Sequence, residues 1–291
     1  MNIIINILEQ ASLFGLVAMG VYITYKILDF PDLSVDGTYP LGACIAATLL
    51  VNGVNPILAT IGAMIGGGLA GLVTAFLHVK LKISNLMSGI LVMIGLYSVN
   101  LLIMGKSNTS LLNIDTVFSS NVSKIIIVLI ILIIFKVLLD LFMKTKLGFL
   151  LFAVGDNEQV VTSLGVNKGN IKILGLMVSN AFVGLAGGLT AQYNGFADVG
   201  MGTGVVVKGL ACVIIGISLL SKLRFIKSTT QAIIGTIIYY SAITIALRMN
   251  LNPNLLNLLT AAVIIIALSA QNGIFKFNRK IKGGNLENAN N

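Results

Sequence analysis

Residues 125–143 read IIIVLIILIIFKVLLDLFM, a stretch in which only Lys136 and Asp140 carry charge. A run this long and apolar is a membrane-crossing helix. About 20 residues rising 1.5 Å each cover the ~30 Å hydrocarbon layer, and a helix satisfies its own backbone groups where no water can. The two charges stand four residues apart near one end of the run. They share a helical face, so a mutual pair that snorkels toward the interface is expected rather than a proton relay.

The remainder of the chain follows the same rule. Its 291 residues are 56% apolar and 10% charged, with a mean hydropathy of +0.98, whereas soluble chains carry about 25% charge. A soluble fold is excluded, and the expected class is an all-α polytopic membrane protein. Apolar stretches at 11–28, 40–51, 56–78, 86–104, 171–193, 205–220, 230–248 and 255–271 join 125–143 to make nine expected spans. Nine crossings put the termini on opposite sides. With the N-terminus outside and the C-terminus cytoplasmic, 14 of the 19 Lys and Arg face the cytoplasm, including Lys26, Lys80, Lys82, Lys144, Lys146, Lys168 and Lys172. Only Lys106, Lys124, Lys208 and Arg248 fall outside, which is the asymmetry that orients membrane proteins.

The net charge of +9 is therefore a topology signal, and no nucleic-acid partner is expected. No basic cluster precedes the first apolar stretch, so that segment reads as a retained span rather than a cleaved signal peptide. Cys44 and Cys212 lie inside apolar segments and read as packing residues. Residues 1–275 read as one transmembrane domain, and 276–291 as a basic, then polar, cytoplasmic tail.

Shifting the chain by 169 residues aligns Gly15-Leu16 with Gly184-Leu185, Asp29 with Asp198, Gly66 with Gly235, and Asn85-Leu86 with Asn254-Leu255. Spans one to four then map onto spans six to nine, with halves at about 11–104 and 171–271. The displacement is five crossings, so the two repeats are expected to be inverted. The short spans two and seven occupy matching positions. Each begins at a turn-rich stretch, 36–42 (DGTYPLG) and 200–204 (GMGTG). Irregular backbone at membrane depth persists only where protein or a wet cavity covers it. Tyr39, Pro40, Gly42, Asn85, Gly204, Gly209 and Asn254 are accordingly the candidate pathway residues. Pro40 and the glycines serve equally well as helix starts and close-packing positions, and Asn85 and Asn254 as helix caps. Gly62, Gly66, Gly67, Gly68 and Gly71 read as helix contacts, and Asp198 as a candidate docking residue for an external binding protein.

The longest cytoplasmic connection, 144–170, contains AVGDNEQVVTSLGV at 153–166. Asp156 is expected to cap a two-turn helix with Gln159 three residues on. Val160, Val161 and Leu164 would give that helix an apolar face, and Gly165 would close it in the left-handed conformation. A short amphipathic helix with acidic residues at its start favours a protein partner over anionic lipid.

Residues 153–166 resemble the cytoplasmic coupling segment of permease subunits in ABC importers of the ribose and branched-chain amino acid type. There Gly155, Asp156, Asn157 and Glu158 lead into a helix closed by Leu164 and Gly165. The opening residues 6–12, 18–20 and 32–37, together with 202–204 and 209–216, extend the resemblance over nearly the whole chain. Ribose-type members usually carry one more N-terminal span and start inside, in keeping with nine spans and an external N-terminus here. The 28–33 variant, LDFPDL, looks closer to a bacterial branch linked to aromatic amino acids such as tryptophan and tyrosine, or otherwise unassigned in substrate.

The resemblance implies an importer subunit in the bacterial cell membrane that takes a small solute, an amino acid, from an extracellular binding lipoprotein. It implies a second permease copy and a separate ATPase dimer that binds the ATP and Mg. No cofactor or catalytic residue is expected in this chain, and it is not expected to be an enzyme. Gly105-Lys106-Ser107 lacks the glycine of a phosphate loop, Asn100 standing in that place. His78 ends span three and reads as a helix-end residue rather than a metal ligand. The rival reading, an ATPase-independent secondary carrier with inverted repeats, lacks the intramembrane carboxylates such carriers use.

Overall fold

The computed structural model describes residues 3–120, 122–220 and 226–248, with single positions between 255 and 269. Ten helices account for most of it. They are α1 (Ile3–Tyr22, continued by a π-helical turn over Ile23–Ile27), α2 (Val35–Val51), α3 (Pro56–Val79), α4 (Asn85–Met104), α5 (Lys124–Met143), α6 (Lys146–Asp156), α7 (Glu158–Ser163), α8 (Lys168–Asn194), α9 (Val205–Leu220) and α10 (Ser228–Arg248). Two three-residue strands, β1 (Asn108–Ser110) and β2 (Phe196–Asp198), pair antiparallel. Among the described residues six helices are long and apolar enough to cross a membrane: α1 with its π turn, α3, α4, α5, α8 and α10. The apolar helices α2 and α9 are shorter, at 17 and 16 residues. The chain is a polytopic helical membrane protein. The expected span at 255–271 falls largely outside the described residues.

Lipid offers helices no hydrophobic reason to associate, so packing relies on close backbone approach through small residues. The centre of the molecule is built that way. Gly67 and Gly71 of α3 face the Asn180 and Leu176 carbonyls of α8, while Gly184 of α8 faces Ala63 and Gly67 of α3. Gly42 of α2 abuts Gly184, and Gly187 abuts the Tyr39 carbonyl. Gly62 and Gly66 seat Ile45 and Leu49 of α2. In the second half Gly216 and Gly235 bring α9 and α10 together. Cys44 and Cys212 are free and buried, as packing residues.

Contacts sort the helix ends into two sets. At one end Phe30 lies edge-on to His78 at 5.1 Å, Gly169 meets Val79, and Lys227 reaches Asp140 at 2.9 Å. At the other, β1 pairs with β2, Gln192 donates to Thr60 at 2.8 Å, and the Lys124 ammonium sits 5.2 Å from the Tyr193 ring centroid. The first end carries Lys26, Lys80, Lys82, Lys144, Lys146 and Lys168, the basic set recognised in the sequence.

Two expectations are corrected. Residues 36–42 are helical rather than irregular, because α2 begins at Val35 and runs through Pro40; the irregular stretch lies just before it, at 28–34. Buried carboxylates are also more numerous than the sequence suggested. Glu9 is 2% exposed, Asp32 2% and Asp140 9%. Each is matched by donors. Tyr193 donates to Glu9 at 2.6 Å, and Asn180 donates to Asp32 at 2.8 Å with the Ser34 hydroxyl at 2.6 Å. Asp140 takes the expected Lys136 at 2.7 Å and also Lys227 and Thr229, which join α5 to the start of α10.

The glycine contacts yield a paired prediction. Gly67→Val forces α3 from α8 and is expected to cost about 1–3 kcal/mol, the range for overpacking. Gly95→Ala, on α4 with open space around it among the described residues, is expected to leave stability unchanged or raise it by up to ~1 kcal/mol. Thermal unfolding of the two detergent-solubilised variants checks the contrast.

Candidate functional site

Two regions combine chemistry with unusual geometry. The first is the 144–170 connection at the basic end, which holds two helices rather than one. Helix α6 is started by Thr145, whose hydroxyl accepts from the Gly148 N–H at 3.3 Å, and it continues through Asp156. Asp156 is therefore helical and does not cap α7. The cap is Asn157, in extended conformation (φ −155°, ψ 104°), with its Oδ1 accepting from the Gln159 N–H at 2.9 Å. Gly165 is left-handed (φ +71°), as expected, and the Val166 N–H reaches back to the Val161 carbonyl at 3.2 Å to close the helix.

The anticipated apolar face is split. Val161 is buried, whereas Val160 is 50% and Leu164 61% exposed. On α6, Phe149 and Phe152 are likewise exposed. Gly155 is pressed against the Ile27 carbonyl at the π-helical end of α1, where any side chain would collide. A cleft of about 800 Å³ opens beside this contact, lined by Tyr25, Lys26, Phe152, Asp156 and Val160 among others. Glu158 binds Lys168 at 2.6 Å and Lys172 at 2.5 Å, which ties α7 to the first turns of α8. Those two lysines hold its carboxyl down at about 2.

The second region lies deep between the two short helices. The Asp36 carboxylate, in the first turn of α2, accepts the Gly204 N–H at 3.0 Å and the Val206 N–H at 2.7 Å, and so caps α9. Pro40 removes the N–H that a regular helix would give the Asp36 carbonyl, and Gly202 packs against that carbonyl and the proline ring. The loop 199–204 thus seats the start of one short helix on the start of the other. Beside it is a cavity of about 520 Å³ lined by residues that include Asp36, Pro40, Tyr97, Asn100 and Thr203.

The family described as branched-chain amino acid transport system / permease component matches residues 3–268. The chain belongs to this family. It is 52% identical to the tyrosine transport system permease protein of Clostridioides difficile (strain R20291), over 94% of this chain and 92% of that one. An uncharacterized protein of Rickettsia prowazekii (strain Madrid E) is 36% identical over 93% and 98%. The ribose import permease protein of Escherichia coli (strain K12) is 26% identical over 74% and 69%. No solved structure matches the chain. Membership of a permease family agrees with the membrane-crossing helices and makes the protein a transport subunit of the cell membrane.

Within this permease the candidate pathway residues divide. Pro40 lines the cavity, and Gly204 (φ +72°) borders it through its bond to Asp36. Tyr39 and Gly42 are buried in the α2–α8 contact, and Gly209 packs on Val17 and Val21 of α1. Asn85 opens α4 at the basic end, where Ser84 rather than Asn85 is the cap, accepting from the Met87 N–H at 3.4 Å. Asn254 lies outside the described residues. Asp198 is engaged in its own loop, accepting from the Gly200 N–H at 2.7 Å and from Asn108 across the strand pair at 3.4 Å. His78 ends α3 with its Nδ1 2.9 Å from the Ile83 carbonyl oxygen. No metal-holding group of side chains occurs among the described residues.

Sequence reasoning missed Asp36 and Asn100 as cavity-lining residues. A carboxylate at the head of a short apolar helix was the available signal for Asp36. For Asn100, inside a long apolar span, only its polarity stood out.

The Glu158 clasp has a definite pH dependence. Its carboxyl titrates below the ordinary ~4.3, so the clasp is at full strength above that value and is lost as pH falls toward about 2. Amide exchange of 158–166, corrected for intrinsic rate, is expected to be flat from pH 8 to 5. In Glu158→Gln it should be faster at each of these pH values, by less than ~1 kcal/mol equivalent because Glu158 and Lys168 are exposed to solvent screening.

Proposed function

We propose that this permease is the membrane subunit of an ATP-driven importer of an aromatic amino acid such as tyrosine. Its partners are a separate ATPase dimer, which binds the ATP and Mg, a second permease copy and an external substrate-binding lipoprotein. The observation that carries the coupling role is the contact of Gly155 with Ile27, beside the exposed Phe149, Phe152, Val160 and Leu164. An exposed apolar surface at the basic end suits a protein partner, and the glycine contact would pass a displacement of α6–α7 to the end of α1. Gly155, Asp156, Asn157, Glu158, Leu164 and Gly165 form the docking segment in this reading. The amino acid class follows from the 52% identity with a tyrosine transport system permease over nearly the full length of both chains.

Nine spans in two inverted halves, with the basic end cytoplasmic, complete the reading. Under the 169-residue shift, α1 corresponds to α8 and α3 to α10. The packing of α3 on α8 thus has its counterpart in that of α10 on α1, as a two-fold relation between halves requires. Opening and closing then consist of the two halves changing their tilt about α2 and α9, driven by the ATPase rather than by an ion gradient.

Reconstitution tests this directly. L-Tyrosine uptake into proteoliposomes is expected to require ATP, the ATPase subunit and the binding protein together; uptake driven by an ion gradient alone overturns the proposal. In Gly155→Val and Gly165→Val, ATP hydrolysis is expected to persist while uptake falls. In the first a side chain collides with the Ile27 carbonyl. In the second, non-glycine backbone at positive φ costs about 1–2 kcal/mol.

A further inference from the structure

Among the intramembrane carboxylates, Asp36 is set apart by its partners. Glu9, Asp32 and Asp140 are buried and each receives a hydrogen bond from a side chain. The hydrogen bonds that the Asp36 carboxylate accepts among the described residues come from the backbone, at Gly204 and Val206. It is only partly buried, and it forms part of the wall of the 520 Å³ cavity. That volume lies within the ~300–1,000 Å³ typical of small-molecule sites. Gly37, the next residue, packs on Met93 and Leu96 in the middle of α4, while Asn100, Val199 and Gly200 also line the cavity, so it runs from mid-depth toward the β1–β2 end. An ionisable group there, lining open space with the Lys208 ammonium near enough to act on its charge and no side chain hydrogen-bonded to it among the described residues, is a candidate functional site by default.

A second, independent observation comes from α4. Asn100 is fully buried and also belongs to the cavity wall. Its Nδ2 donates to the Gly37 carbonyl at 3.3 Å, which settles the amide orientation and turns Oδ1 into an acceptor. That oxygen receives no hydrogen bond among the described residues. A buried amide oxygen left unmatched is costly, on the order of 1–3 kcal/mol, and calls for a donor. Asp36 and Asn100 thus offer acceptors, one of them anionic, and the neighbouring wall of Met93, Ile94 and Tyr97 is apolar and aromatic.

We propose that this cavity is a mid-membrane waypoint for the solute. Asp36 and Asn100 accept hydrogen bonds from the ammonium group of an amino acid, and Ile94 and Tyr97 pack against its side chain. The assignment rests on the import of an amino acid proposed above and names the groups that hold it in transit. Positioning is shared between halves, because the carboxylate that receives the ammonium also caps α9. Occupancy by solute would therefore compete for the bonds that seat one short helix on the other, which couples the solute to the contact between halves.

Protection of an introduced thiol tests the site. Ser98, exposed on the cavity wall, is replaced in Ser98→Cys, and the full chain in nanodiscs is labelled with a small maleimide; Cys44 and Cys212 are fully buried and give little background. L-Tyrosine and tyramine are expected to slow labelling several-fold, and 3-(4-hydroxyphenyl)propionate, which lacks the ammonium group, to leave it unchanged. Adding Asn100→Ala is expected to raise the half-protecting concentration about tenfold, the equivalent of one charge-assisted hydrogen bond. Adding Asp36→Asn, which keeps one oxygen to cap α9, should abolish protection. Equal effects from all three compounds, no effect from any, or undiminished protection in both double variants overturns the site. ATP-dependent L-tyrosine uptake by the same protein separates the two proposals. Uptake without protection removes the waypoint alone, whereas protection by tyramine without uptake keeps an ammonium site and removes the import of tyrosine.

Discussion

The molecule depends on the absence of a hydrophobic force between its helices. Inside lipid an apolar side chain gains nothing by touching another helix rather than an acyl chain, so association rests on how closely backbones approach. The α3–α8 crossing answers that constraint with glycine against backbone carbonyl at Gly67, Gly71 and Gly184. α2 closes on the same seam through Gly42 and Gly187. Bulk at any of these positions would separate the helices that hold α2, and with α2 the Asp36 carboxylate.

Polar groups are used sparingly on this framework, and the buried carboxylates join elements that are distant in sequence. Glu9 ties α1 to the end of α8, Asp32 and Asn180 tie the loop before α2 to the middle of α8, and Asp140 ties α5 to α10. Asp36 alone joins the starts of the two short helices, where backbone N–H groups face the carboxylate and the helix dipole favours it. At the basic end, Gly155 against Ile27 and Glu158 against two lysines connect the surface helices to the spans.

Much of this was legible in the sequence because its signals are local. Residues 125–143 need only length and composition to read as a span, and the spacing of Lys136 and Asp140 suffices to pair them. Gly165 announced its left-handed turn by following a short capped segment. The cap itself was misread by one residue. Asp156 and Asn157 are equivalent as capping side chains, and only the persistence of α6 through Asp156 passes the role to Asn157. The start of α2 was misread for a related reason. A proline in a glycine-containing stretch looks like a boundary, yet Pro40 stands inside α2, with Gly202 of the 199–204 loop packed against the carbonyl it strands.

By itself the sequence determined that this chain lives in a membrane as a polytopic helical protein, and it located the six long apolar helices found among the described residues, since hydropathy acts residue by residue. It also marked the short helix and left-handed turn of 153–166, whose turn chemistry is written in fourteen consecutive residues. Tertiary structure alone decided what the polar residues within the spans are for. Asp36 meets Gly204 across 168 residues and Asn100 meets Gly37 across 63. Such contacts form because α2, α4 and α9 pack together, and no local pattern encodes which distant backbone group a buried side chain will face.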